Sequence, residues 1–93
     1  MRIIGYIEHP AMKITVFKMD NRLSVKFETG LQEQTYKFRE GDSIESLEDV
    51  QRVVDEVLLN EVLELFKQMR QNSMRALSRN LPKPAGEEFE RII

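Results

Sequence analysis

Few residues in this chain have the type and spacing that chemistry demands. There is one histidine, His9, and no cysteine. A zinc centre needs three or four ligands drawn from Cys, His, Asp and Glu, so these counts argue against one. Nucleophilic catalysis by a thiolate is excluded, and no Ser or Asp adjoins His9 to make it a catalytic base. His9 precedes Pro10, which reads as a surface turn at a strand end. Asp55, Glu56, Glu61 and Glu64 recur at helical spacing and could hold a divalent cation only by converging with other ligands. They read as a solvated helix face, and no Glu-to-His helical motif of the diiron kind accompanies them. The glycines Gly5, Gly30, Gly41 and Gly86 stand alone, so no loop is rich enough in glycine to cradle a phosphate. Asp42-Ser43-Ile44-Glu45 lacks the calcium-loop spacing. The expectation is a protein without a catalytic residue, cofactor or metal.

Two sets of residues remain that suit binding. Lys67, Arg70, Arg75 and Arg79 come with Gln68, Gln71, Asn72 and Asn80 and with no carboxylate between them. Such a segment could meet a phosphate backbone, joined by Lys13, Arg22 and Lys26 from elsewhere in the chain. It carries no recognition-helix motif and no ribonucleoprotein aromatic signature, and Tyr6 and Phe17 read first as packing residues. The second set is apolar: Phe17, Met19, Val62, Leu65, Phe66 and Met69 are candidates for a subunit interface, where aromatic and methionine side chains are favoured. The leading expectation is a small non-catalytic protein that acts through protein–protein contact, as a homodimer or slightly larger assembly. Binding of nucleic acid through the basic segment is the alternative, and another protein is a third kind of partner.

The elements that must position these residues can be read from periodicity. Ile14 and Val16 alternate with polar residues, as do Leu23, Val25 and Phe27, with Asp20-Asn21 between the runs. Asp and Asn tolerate positive φ, which suits a two-residue hairpin turn. That turn sets Val16 against Val25, Ile14 against Phe27 and Lys13 against Glu28. Phe17 and Met19 fall on the outer face. Taking Thr29-Gly30 as the next turn places Leu23 opposite Tyr36, Val25 opposite Gln34 and Lys26 opposite Glu33. Residues 2–8 form a further strand, with Ile3, Gly5 and Ile7 on one face and Ile4 and Tyr6 on the other. Strands are thus expected at about 2–8, 12–19, 22–28 and 32–38, in an antiparallel meander of three to four strands.

From Leu47 to Ser78 there is no glycine or proline, and good helix formers dominate. Ser46 is placed as N-cap, with Asp49 at the capping-box position. Helix is expected over 47–79. The apolar stripe of Leu47, Val50, Val53, Val54 and Val57 is rotated by roughly 90° from that of Leu58, Val62, Leu65, Phe66 and Met69. An unbroken helix over 47–78 would run about 48 Å, beyond the diameter of a compact chain of this size. The helix therefore either breaks near Asn60 or projects its second half toward another subunit.

Charge is segregated along the same stretch: residues 40–66 hold nine acidic groups and one basic, and residues 67–86 hold five basic and none acidic. Acids at the front and bases at the back also complement the helix dipole, so part of this pattern is structural. At 93 residues the chain has room for one domain, 41% apolar residues fit a globular α+β fold, and that domain is placed at 1–80. Leu81-Pro82 ends the helical pattern, and 81–93 reads as an extended or flexible tail, with Phe89, Ile92 and Ile93 available to dock. No window of 18 apolar residues spans a membrane, no leader is apparent, and the absence of cysteine suits a reducing compartment, so a cytoplasmic protein is expected.

Overall fold

A computed structural model describes residues 1–39 and 43–81. Residues 40–42 and the expected tail from Pro82 onward lie outside the described residues. Four strands, β1 (Arg2–Ile7), β2 (Lys13–Met19), β3 (Arg22–Thr29) and β4 (Gln32–Phe38), form one antiparallel sheet in chain order. Two helices follow, α1 (Leu47–Val53) and α2 (Glu56–Asn80). The fold is α+β, a meander followed by a long C-terminal helix.

The β2–β3 hairpin has the register that its alternation dictates: Val16 pairs with Val25, Ile14 with Phe27 and Lys13 with Glu28. Asp20 opens the turn at φ 55°, in the left-handed region that Asp tolerates. The β3–β4 register differs from the sequence expectation by two residues. Leu23 pairs with Phe38, Val25 with Tyr36 and Lys26 with Thr35. The turn consists of Gly30 and Leu31, not Thr29 and Gly30, because Gly30 takes φ 50° at the first central position, where a two-residue hairpin favours glycine. Lys26 consequently lies 4.0 Å from Glu28 on its own strand, not across from Glu33.

β1 also departs from simple alternation. Gly5 pairs with Val16 but Ile3 pairs with Phe17, so a bulge at Ile4 shifts the register between them. Gly5 stays on the inner face, while Ile3 joins Tyr6 on the outer one. A Cβ at Gly5 would come within 2.7 Å of the Leu47 Cδ2 atom, so the missing side chain lets α1 settle on β1.

The helices cover the inner face. Ile14, Val16, Leu23, Val25 and Phe27 of the sheet, with Met12 just before β2, form one core with Val50, Val62 and Phe66 of the helices and Val54 between them. The Phe27 and Tyr36 rings meet edge to face at 5.6 Å. Fully burying each large apolar side chain stabilises the fold by about 1.5–3 kcal/mol.

The helical region does break, at Val54-Asp55 instead of near Asn60. Ser46 caps α1 with the expected box: its Oγ accepts from Asp49 N at 3.2 Å, and Asp49 Oδ2 accepts from Ser46 N at 3.2 Å and Glu45 N at 2.9 Å. Val54 ends α1, and Asp55 starts α2 by accepting from Leu58 N at 2.9 Å. An aspartate that binds the amide three residues ahead holds its own backbone extended, which stops one helix and starts the next.

Candidate functional site

Two glutamines of β4 set the position of α2. Gln34 Nε2 donates to the Val62 carbonyl at 2.9 Å, and its Oε1 accepts from the Tyr36 hydroxyl at 2.7 Å. The Gln32 amide, oriented to satisfy both neighbours, donates to the Phe66 carbonyl at 3.2 Å and accepts from Arg70 N at 2.8 Å. Strand numbers fall as helix numbers rise, so α2 runs antiparallel to β4. Beyond Gln32 the strand turns back at Gly30-Leu31, and α2 continues. Its 25 residues span about 37 Å against about 23 Å for the seven of β4. The chain measures 55 × 25 × 19 Å with a radius of gyration of 17.5 Å, where about 12 Å would suit a compact chain of this length.

The helix therefore changes role along its length. Val62 and Phe66 are buried in the chain's own core, with Met69 half-buried beside them. Three of the six residues expected at a subunit interface thus pack against the chain's own core, because the apolar stripe of this segment faces the sheet. Leu65 flanks this stripe on α2 and is 42% exposed. Past Phe66, Met74 is 42% and Leu77 50% exposed, and Leu31 at the β3–β4 turn is fully exposed. With Thr29, Gly30, Gln32, Arg70 and Ser73 these three line a concavity of about 530 Å³ between the turn and the helix. Leu31, Met74 and Leu77 were not singled out from the sequence. With the turn read at Thr29-Gly30, Leu31 gave no signal; only the Gly30-Leu31 turn of the structure sets it at a position that usually takes a polar residue.

Lys67, Arg70, Arg75 and Arg79 are all exposed along α2. Arg75 donates to Asn72 Oδ1 at 2.6 Å, and Arg70 borders the concavity. The structure does not bring them together with Lys13, Arg22 and Lys26, which stand on the outer sheet face while α2 covers the inner one.

Among the described residues no element covers the outer face of the sheet. Tyr6, Thr15, Lys26 and Thr35 form one row across the four strands, and Ile3, Phe17, Ser24 and Lys37 form the next. Tyr6 is 56% exposed, Ile3 and Met19 are about as open, and Phe17 is half-buried beneath the Lys26 ammonium, 5.5 Å from the ring centroid. Thr15 is almost fully buried beneath these side chains.

Two further titratable groups, His9 and Asp49, serve local structure. His9 Nδ1 accepts from Ala11 N at 3.0 Å and closes the turn after β1. The Asp49 carboxylate is held below the ordinary aspartate range, first by the Glu45 backbone N–H, then by Ser46 and by Arg52, which binds its other oxygen; partial desolvation opposes this shift. Among the described residues no group of three or more acidic or histidine side chains converges as a metal site, and no helix is long and apolar enough to cross a membrane. Comparison with family models, curated proteins and solved structures finds no match to this chain, so its surfaces alone carry the functional argument.

Proposed function

We propose that this is a small non-catalytic protein that acts through protein–protein contact, and that its first partner is a second copy of itself. The overhanging end of α2 carries this reading. It presents Met74 and Leu77, with Leu31 beside them, around a concavity that the described residues leave uncovered. Apolar side chains clustered in this way favour removal from water by association.

The charges on α2 favour a second copy. Asp55, Glu56, Glu61 and Glu64 occupy its first part, and Lys67, Arg70, Arg75 and Arg79 its second. Two such helices laid antiparallel about a two-fold axis set the acidic part of each against the basic part of the other. The expected homodimer is cytoplasmic, as the absence of cysteine suggests. Size-exclusion chromatography with light scattering tests the reading. The wild type should run at twice its 11.0 kDa chain mass, more completely at low salt than at high. Leu77→Glu should return it to a single chain, since Leu77 lies outside the core. A wild-type mass of one chain at about 100 μM, a hundredfold above a micromolar Kd, would refute self-association.

The alternative of phosphate-backbone binding through Lys67, Arg70, Arg75 and Arg79 is supported by their exposure on a stretch of helix without a carboxylate. Charge reversal at Arg75 and Arg79 together would abolish it.

A further inference from the structure

The sheet face turned away from the helices has a composition that self-association through α2 leaves unexplained. Three successive rows across it are Met19–Arg22, Ile3–Phe17–Ser24–Lys37 and Tyr6–Thr15–Lys26–Thr35. They carry three cations, two aromatic rings and three hydroxyl side chains, and no carboxylate. The acids of this face fall in the next row, where Lys13, Glu28 and Glu33 align. Charge is therefore positive over the aromatic part of the face and negative at its margin. Beyond Met19, Arg22 and Arg39 border a concavity of about 470 Å³ at the hairpin end, shared with Asp20 and Asn21 of the turn.

An outer strand face that merely met solvent would not need Tyr6 more than half exposed, nor Ile3 and Met19 nearly as open on the same face. An acidic protein surface would satisfy the cations but would make little use of flat rings between them. A single-stranded nucleic acid uses both: its bases stack on exposed aromatic side chains and its phosphates pair with the cations around them. Ser24 and Thr35 supply hydroxyls that can bond phosphate or sugar oxygens. Lys26 is already poised for this exchange. Its ammonium sits over the Phe17 ring at 5.5 Å and reaches Glu28 only at 4.0 Å, with both side chains about one-third exposed. A base arriving on Phe17 displaces the ammonium from the ring, and a phosphate replaces Glu28 as its partner.

We infer that the outer face of the sheet is a binding platform for single-stranded nucleic acid, with Tyr6 and Phe17 as stacking groups and Arg22, Lys26 and Lys37 as phosphate contacts. The site is separate from the basic end of α2, which lies on the other side of the sheet.

The test is fluorescence anisotropy of a labelled oligothymidylate of about 12 nucleotides, within the range of small single-strand binders, titrated with the full chain. Binding should weaken with salt at a log–log slope of about −2, as expected for three phosphates neutralised on a single strand. Lys37→Glu should lower both affinity and slope. Tyr6→Ala should weaken binding about fivefold or more and leave the slope unchanged, because stacking releases no counterions. Both side chains are exposed, so both variants should keep the wild-type circular dichroism spectrum. The inference is overturned if the oligonucleotide does not bind at low salt. It is also overturned if Arg75→Glu with Arg79→Glu abolishes binding while Lys37→Glu does not, which would move the contact to α2. Equal affinity for a duplex together with indifference to Tyr6→Ala would overturn it too, as would full competition by polyglutamate, since both are the behaviour of an unselective basic surface. Leu77→Glu should leave binding intact, so failure of self-association and failure of this platform are distinguishable.

Discussion

Truncating α2 at two points less than four turns apart should give sharply different costs. Phe66 is 5% exposed within the core, and Phe→Ala at such a position typically costs about 3–5 kcal/mol through lost transfer energy and a residual cavity. Leu77 is 50% exposed beyond the end of the sheet. Removing its three outer carbons at about 0.8 kcal/mol each, half effective, costs about 1 kcal/mol, and the better helix propensity of alanine returns a few tenths. A domain of this size has about 5–14 kcal/mol of stability in all. Urea denaturation followed by circular dichroism separates the two cases. With a slope of about 1–1.5 kcal/mol per molar, Phe66→Ala should lower the midpoint by about 3 M and Leu77→Ala by less than about 1 M. The comparison belongs at high dilution, where single chains predominate; at high concentration the loss at Leu77 should grow, because assembly adds to the stability of the wild type. Equal losses at high dilution would mean that the end of α2 packs on its own chain. A loss under about 1 kcal/mol at Phe66 would mean that this residue is not in the core, and the division of α2 into a packed part and an overhang would fall.

Two further results follow from local geometry. The relay from the Tyr36 hydroxyl through Gln34 to the Val62 carbonyl should appear in a double-mutant cycle of Tyr36→Phe and Gln34→Ala as a coupling of about 0.5–1.5 kcal/mol; additive losses would show that the relay contributes nothing. The lowered pKa of Asp49 means that its capping contribution is fully present above the ordinary aspartate value and is lost as pH falls through the lowered one. A pH series of urea midpoints should show that acid loss in the wild type and a smaller one in Asp49→Asn; parallel curves would remove the capping box from the account.

The reach of sequence reasoning differs from one element to the next. At the β2–β3 hairpin, alternation and turn chemistry converge on one register, because a slip of one residue would turn the core side chains outward. At β3–β4 the two candidate turns differ by two residues in register, so the same side chains face inward in both, and the hydrophobic pattern cannot choose between them. The choice rests on the positive φ of Gly30, which is a property of the backbone. The helix break was misplaced for a related reason. Asp55 sits in a run of acids that reads as dipole complement, and only its bond to Leu58 N identifies it as a cap. Periodicity locates an apolar stripe at Val62 and Phe66 but cannot tell whether sheet or partner covers it. Strict alternation groups Ile3 with Gly5 and Ile7 because it has no room for the bulge at Ile4, which sends Ile3 to the opposite face.

The two glutamine bonds between β4 and α2 act as a vernier. Two residues along a strand advance about 6.6–6.8 Å and four along a helix about 6.0 Å, so successive rungs fall out of step by somewhat under 1 Å. Gln34 with Val62 and Gln32 with Phe66 are two rungs within that tolerance, and the position after Gln32 that would supply a third is Gly30, which has no side chain. The axial setting of α2 is thereby fixed from the strand side, and the length of its overhang is decided by where the sheet turns back. Lengthening the β3–β4 hairpin by two residues on each strand, on the turn side of Gln34, would leave the Gln34–Val62 rung in place and shorten the overhang by about 6.7 Å without altering a residue of the helix.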